Sequence, residues 1–492
     1  MDPLEQTAPT AGRVYVAIDI GASSGRVMVG RLDGAPGAER ITVETVHRFP
    51  NSVVDDGGEL SWDFEGLYSE VLRGLGLVAA RIATTGEVIA GIGIDTWAVD
   101  YGLVRDGELS GAPRAYRDPR GDAGVESVHT RVPFDELYAV TGLQFLPFNT
   151  VYQLATEPDV AGARALLIPD LLAYRLTGAM RMEETNASTT GLLDASTGTL
   201  STPLMDRLGL DRDLFAPLIS PGEAYGTLLA GVAAGTGLDP RTPVIAVGSH
   251  DTASAVAAIP AAGGAPFAYI SSGTWSLVGM ELASPVRTPE SREANFTNER
   301  GVDSTIRFLR NTGGLWLLQE SMRHWQETGT DTGSLAGLLE AAALLPTGGP
   351  RIDVGSDGFL APGNMPGRIR AAVAAAGAEL GAEPPAVVRC ILDSLAAGYA
   401  LAVHTAARLC GDAPQVLHIV GGGSQNTLLC QLTSDATGLP VIAGPVEATA
   451  LGNLLVQARA DTGARATLAE MRAVVARSVE TATYTPRHNP ER

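Results

Sequence analysis

Two segments of this chain are built alike, and together they restrict its fold more than any other feature. Each is an apolar strand that runs into a turn of glycine and hydroxyl residues and leaves as a second apolar strand. The first reads Val16-Ala17-Ile18-Asp19-Ile20-Gly21-Ala22-Ser23-Ser24-Gly25-Arg26-Val27-Met28-Val29. The second reads Phe267-Ala268-Tyr269-Ile270-Ser271-Ser272-Gly273-Thr274-Trp275-Ser276-Leu277-Val278. Such a turn leaves backbone N–H groups and short hydroxyls on one concave side, a way to hold phosphate without a large side chain. One copy in each half predicts two related domains with a nucleotide clamped between them.

Lysine is absent, so all 35 basic residues are arginine. A G-x-x-x-x-G-K-[ST] phosphate loop is therefore impossible, as are a kinase-type strand lysine and a Schiff-base lysine. A triphosphate must instead be met by amides, hydroxyls, arginine and a metal ion.

At 492 residues the chain exceeds one hydrophobic core, and its 45% apolar content is that of a folded protein. A net charge of −20 argues against nucleic-acid or anionic-membrane partners. Met1 to Arg13 is polar and unlike a secretory signal, and no apolar run approaches the roughly 18 residues of a membrane span. Cys390, Cys410 and Cys430 are odd in number and read as free thiols of a reducing compartment, so the expectation is a cytoplasmic protein. Nothing in the sequence speaks to oligomeric state.

Strands are expected at residues 40–48, at 89–104 on both sides of a turn, and at 243–247, with helices at 64–83 and 252–259. Helical spacing of Leu and Ala covers residues 161–176, and prolines and glycines from Pro217 to Gly237 suggest a hinge-like passage. After a linker at 261–266 the theme repeats: the second turn, an Ala-rich helix at 386–409, a strand at 416–420 ending in Gly421-Gly422-Gly423, a strand at 440–443, and a helix from 447. Strands alternating with helices around glycine turns give α/β domains with mixed sheets.

Asp251 follows an apolar strand and precedes a helix of small residues. Its carboxylate either takes a proton from a hydroxyl attacking a γ-phosphate or caps the helix. Ser249-His250-Asp251 is not a hydrolytic triad, since three consecutive residues cannot form the relay. Asp19 either faces a magnesium ion or stabilises the turn by an Asx-type bond. Arg26 either reaches phosphate or lies on the surface. The glycine run at 421–423 permits close approach of a flat ligand or simply makes a tight turn. Trp97, Phe145 and Phe148 either line a sugar pocket or belong to the core. No Cys/His cluster has zinc-ligand spacing.

With these residues in hand, the chain resembles the FGGY carbohydrate kinases, within the actin-like ATPase fold. The matching stretches include Asp19–Arg26 (DIGASSGR), Ile92–Asp100 (IGIDTWAVD), Ala115–Asp118 (AYRD), Leu143–Thr150 (LQFLPFNT) and Ser249–Ala255 (SHDTASA). Ser271–Leu277 (SSGTWSL), Gly314–Gln319 (GLWLLQ), His418–Leu428 (HIVGGGSQNTL) and Val441–Asn453 (VIAGPVEATALGN) continue the series in order. The resemblance implies an α/β protein of two actin-like ATPase (ribonuclease H-like) domains with an interdomain cleft, here over residues 14–259 and 266–484. It is strongest to the branch acting on L-rhamnulose, which implies ATP- and magnesium-dependent phosphorylation of that sugar at its 1-hydroxyl.

By the same resemblance, ATP phosphates lie at Ala22, Ser23, Ser24, Gly25 and Arg26, and further nucleotide contacts at Thr274, Gln319 and Gly422. The sugar lies near Ala98, His250, Asp251, Thr252 and Asn311, with Asp251 as base. Position 98 departs from the family pattern, which has Gly there, and the added methyl bears on sugar identity. The cysteines match no family disulfide set.

Overall fold

A computed structural model describes residues 12–35, 37–261, 263–463 and 466–487. Most of the polar N-terminal segment and residue 262 of the expected linker lie outside the described residues. The chain forms two compact units and crosses between them more than once. The first comprises the described residues of Met1–Ala262 with Glu299–Thr305 and Thr449–Ser478; the second comprises those of Gly263–Asn298, Ile306–Ala448 and Val479–Arg492.

In the first unit, β1 (Arg13–Ile20) turns into β2 (Ser24–Asp33), which pairs antiparallel with β3 (Arg40–Pro50). Helix α1 (Phe64–Thr85) begins where Asp63 accepts a bond from the Gly66 amide, and ends at Gly86 in the left-handed region (φ 71°). Strand β4 (Val88–Thr96) then returns parallel to β1. Much later come β5 (Ala224–Thr227) and β6 (Pro243–Ile245), and β6 lies parallel to β4. The sheet order is β5-β6-β4-β1-β2-β3. Helix α2 (Asp251–Ala257) follows β6.

From Val14 to Ile20, β1 is buried on both faces, which explains its unbroken apolar run. Helix α1 packs on one face, where a Cβ on Gly74 would come 2.4 Å from Val27. The helix Ala448–Thr462 packs on the other, where a Cβ on Gly30 would come 2.6 Å from Leu454. Glycine at these positions lets helix and strand approach closely.

The second unit repeats the plan. Strands β7 (Phe267–Ser272), β8 (Trp275–Leu282) and β9 (Ile306–Gly313) form an antiparallel meander. After helices α3 (Trp316–Thr328) and α4 (Pro384–Cys410), strand β10 (Val416–Val420) joins β7 in parallel. Helix α5 (Thr427–Thr437) leads to β11 (Val441–Ala443), parallel to β10, and β12 (Ala482–Tyr484) closes that edge antiparallel. Both sheets thus share a meander, two parallel additions and an antiparallel edge. The edge strand precedes the fifth strand in the first unit and follows it in the second. Contrary to the expectation that no apolar run approaches a membrane span, helix α4 is long and apolar enough to cross one, but 78% of its apolar window is buried and it belongs to the core of the second unit.

Two local expectations fail. Residues 161–176 open as a strand, Arg164–Leu167, and only then form the helix Ile168–Thr177, because the first four residues pair with Tyr101–Val104 and Pro169 starts the helix. The passage from 217 to 237 contains β5 and the helix Ala230–Thr236 rather than a hinge; Gly222, Gly226 and Gly237, at positive φ, are the bends between ordered pieces.

Candidate active site

The chemistry-bearing residues of the first unit gather at one end of its sheet. Strands β1 and β4 run parallel in a register that sets Asp19 beside Asp95. One residue on, Thr96 bridges in parallel to His250, and its amide donates to the Ser249 carbonyl at 2.9 Å. Asp19, Asp95 and the Ser249–Asp251 corner therefore lie at the carboxyl ends of three neighbouring parallel strands, where α/β sheets bind ligands.

The turn between β1 and β2 is tight and pinned. The Gly21 amide donates to the Ser24 carbonyl at 2.9 Å, the Asn51 side chain donates to the Gly21 carbonyl at 2.9 Å, and the Asn51 amide donates to the Ser23 carbonyl at 3.1 Å. Among the described residues, the amides of Ala22 and Ser23 have no backbone partner, the condition for an anion-binding turn. Gly25 cannot carry a side chain, because its Cβ would come 2.2 Å from the Phe49 ring. Arg26 does not lie out on the surface. It stands in register with Asp19 and donates from Nη2 to Oδ2 at 2.5 Å.

Asp95 is completely buried, and its Oδ1 has no hydrogen-bond partner among the described residues. Its Oδ2 accepts from the Asn453 amide group at 2.5 Å, and Asn453 Oδ1 accepts in turn from Gln457 at 2.6 Å. Burial, and then the Asp19 carboxylate, hold the Asp95 carboxyl well above its usual range. Asp19 and Asp95, two carboxyls at one strand end beside the turn amides of Ala22 and Ser23, would hold a cation that neutralises phosphate charge. Among the described residues no group of three His, Cys, Asp or Glu side chains forms a cage. That donor set fits magnesium, which keeps several waters and takes most ligands from phosphate.

Asp251 is the first residue of α2, but the helix is capped by the His250 position without any side-chain bond. Its carboxylate is thus not spent on capping. About a third exposed, it accepts from Thr252 Oγ1 at 3.0 Å and lies 3.5 Å from His250 Nε2. The other ring nitrogen of His250 faces Glu299 at 3.2 Å. Behind this corner, buried Glu183 accepts from the Ser249 amide (3.1 Å) and hydroxyl (2.7 Å), and also from the Thr185 amide (2.9 Å). The Thr185 hydroxyl then accepts from the His250 amide at 3.3 Å. The backbone leading to Asp251 is therefore fixed by a carboxylate 66 residues earlier.

Ala98 lies in the loop that follows β4, and its carbonyl accepts from the Asp100 amide at 2.9 Å. Val99 has φ 68°, a strained value for a β-branched residue, and its carbonyl is clamped by the Thr150 hydroxyl at 2.7 Å. Trp97 and Phe148 both belong to an aromatic cluster beside this loop. Phe145 packs with His129, Phe134 and Tyr152.

In the second unit, the β7–β8 turn is held at Gly273 and Thr274, whose carbonyls accept from the Leu315 and Trp316 amides at 3.0 and 3.2 Å. Helix α3 starts there and carries Gln319 exposed, one turn on. Asn311 lies near the same end of the sheet, opposite Leu277. The three glycines after β10 divide their work. Gly421 (φ 82°) and Gly423 press on Ser272, where added Cβ atoms would come within 2.9 and 1.9 Å, whereas Gly422 faces open space.

The predicted residues of the first unit, Asp19, Ala22–Arg26, Ala98 and His250–Thr252, thus share one sheet end. Thr274, Asn311, Gln319 and Gly422 gather at the matching end of the second unit's sheet. Sequence reasoning missed Asp95, Glu183, Glu299, Asp100 and Asn453. Asp95, Asp100 and Asn453 fall inside the matching stretches without a readable role there, and Glu183 and Glu299 reach the Ser249–Asp251 corner from segments distant in sequence.

Family models of the FGGY family of carbohydrate kinases match both halves, the N-terminal domain over residues 14–258 and the C-terminal domain over 268–460. The chain is 41% identical to the rhamnulokinase of Bacteroides thetaiotaomicron over 480 residues, covering 96% of each protein. It is 42% identical to the rhamnulokinase of Enterococcus faecalis, covering 90% of this chain and 89% of that one. Among solved structures, the gluconate kinase of Lactobacillus acidophilus superposes with a TM-score of 0.74 at 15% identity, covering 97% of this chain and 94% of that one. The glycerol kinase of Plasmodium falciparum with ADP gives 0.75 at 14% identity, with the same coverage. Matched in both halves by the family's models and along nearly its whole length by these relatives, the chain belongs to the FGGY family of carbohydrate kinases.

Proposed function

We propose that this protein is a cytoplasmic, ATP- and magnesium-dependent kinase that phosphorylates L-rhamnulose at its 1-hydroxyl in rhamnose catabolism. The relatives' names support the sugar. The observation that carries the chemistry is Asp251, a part-exposed carboxylate at the sheet's carboxyl end that caps nothing.

The sugar O1 attacks the γ-phosphorus, the O1–P bond forms, and the bond to the β–γ bridging oxygen breaks to release ADP. Asp251 accepts the hydroxyl proton. His250, Thr252, Ala98 and Asn311 would hold the sugar. The Ala22–Gly25 turn and Arg26 would hold phosphate oxygens, with Thr274, Gln319 and Gly422 on the rest of the nucleotide. Magnesium, when bound near Asp19, neutralises charge on the phosphates. Glu183 keeps the Asp251 backbone in place, so that the base needs little reorganisation during reaction.

Replacing Asp251 by Asn keeps its shape and removes its basicity. ATP and sugar should still bind in calorimetry, while kcat in a coupled ADP assay falls about 10²–10⁴-fold. Wild-type turnover by that variant would remove Asp251 from the role of base. Ala98, in place of the family's Gly, favours a second reading, a kinase of another ketose such as L-fuculose or xylulose. A sugar panel that prefers one of these by more than about tenfold would replace the rhamnulose assignment.

A further inference from the structure

One buried carboxylate is unexplained by the reaction above. Asp100 is fully buried, yet both of its oxygens are used. Oδ2 accepts from the indole N–H of Trp62 (2.7 Å), the indole N–H of Trp97 (2.9 Å) and the Tyr116 amide (3.1 Å). Oδ1 accepts from Gln153 at 2.9 Å, and the same Gln153 nitrogen donates to the Phe148 carbonyl at 2.9 Å. Four aromatic residues from four separate segments are therefore tied to one carboxyl group.

Their rings form a continuous row. Trp97 and Trp62 are 4.3 Å apart between centroids, Trp62 and Tyr116 6.3 Å, and Tyr116 and Phe148 5.3 Å. The two tryptophans are buried, while Tyr116 and Phe148 are half-buried, so the row runs from the core towards accessible surface. It starts in the loop that carries Ala98 and directly follows Thr96, the residue bridged to His250. Gln153 also donates to the carbonyl of the strained Val99 at 3.4 Å, so the same network fixes the direction in which Ala98 is presented.

A carboxylate suits this position better than its neutral analogue, because it can accept four N–H bonds and donates none. Burying it is costly unless it is so bonded, and such a site is kept where it organises something. We propose that Asp100 is a positioning residue for sugar specificity. It holds an aromatic wall whose accessible end, Tyr116 and Phe148, receives the apolar face of the substrate, including the methyl group of a 6-deoxy ketose, while its other end fixes the loop that carries Ala98. The proposal rests on the kinase reading above and adds the device by which the sugar is chosen.

The test is Asp100→Asn, which preserves shape but sets an amide N–H against a donor in either orientation, the Gln153 side chain in one and both indole N–H groups in the other. Its KM for L-rhamnulose should rise about three- to tenfold, with the KM for ATP within about twofold of wild type and kcat nearly unchanged. Preference for L-rhamnulose over its 6-hydroxy counterpart, L-fructose, should fall by a similar factor. Tyr116→Leu and Phe148→Leu should reproduce the sugar effect directly. Should Asp100→Asn not fold, Trp62→Phe and Trp97→Phe each remove one N–H while keeping a ring, and each should move the sugar KM the same way. An unchanged sugar KM in these variants overturns the proposal, as does a rise matched by equal losses in ATP affinity and kcat. If wild type prefers another ketose, the rhamnulose reading fails by itself, and the variants are judged on the sugar that is preferred.

Discussion

Replacing Gly452 by Ala should test whether Asp251 is held to sub-ångström tolerance by the helix behind it. Gly452 lies in the helix Ala448–Thr462, and an added Cβ would stand 1.9 Å from the Ser254 carbonyl oxygen and 2.7 Å from its carbon. That oxygen belongs to α2 and already accepts from the Ala258 amide at 3.2 Å, so it cannot rotate away. Ordinary contact begins near 3.4 Å, so the two helices must separate locally by about 1.5 Å. Ala favours the helix over Gly by about 1 kcal/mol, but overpacking against backbone costs about 1–3 kcal/mol, so net destabilisation is expected. The larger effect should be on catalysis, because Asp251 opens the displaced helix and a shift near 1 Å can cost about 10²-fold in rate. Coupled ADP release gives kcat, and thermal denaturation gives the stability change. The control is Gly231→Ala in the helix Ala230–Thr236, where a Cβ meets open space; it should leave kcat alone and stabilise by about 0.5–1 kcal/mol. If Gly452→Ala keeps wild-type kcat and melting temperature, the packing account of the base is wrong.

Two further outcomes follow from burial. Burial pushes the Asp100 carboxyl up to about 6 from its ordinary 3.8, against the opposing pull of its hydrogen bonds. Because the folded state holds this proton more tightly than the unfolded chain, its contribution favours folding below about pH 4 and is lost as pH rises to about 6. Wild type should therefore lose up to roughly 3 kcal/mol relative to Asp100→Asn between pH 4 and 7 in urea unfolding, and a pH-independent difference would contradict the buried charge. The thiols of Cys390 and Cys410 are pushed up to about 11, and that of Cys430 to about 12, by burial. All three should react slowly with a disulfide reagent at pH 7.5 and quickly in denaturant, and fast labelling of the folded protein would refute the assignment.

Much of the first-unit site was legible because its signals are local. The turn at Gly21–Gly25 is written by glycine and serine between two apolar strands, and Asp251 by its place between strand and helix. Neither role of Arg26 nor that of Asp19 could be chosen from sequence, because their pairing depends on the β1–β2 register. The local spacing at 164–167 favours helix, but strand partners at 101–104 outweigh it.

The amino-acid order by itself therefore determined the duplicated strand-turn-strand plan, the α/β class and the exclusion of lysine-dependent phosphate loops, since dihedral preference and apolar periodicity act over neighbouring residues. Only tertiary structure decided which carboxylates meet. Asp95 finds Asn453 across 358 residues, Ser249 rests on Glu183, and one carboxyl group at Asp100 gathers rings from four segments. Such partners leave no periodic trace in the chain, because a buried polar group needs only a satisfied donor or acceptor, wherever in the sequence it originates.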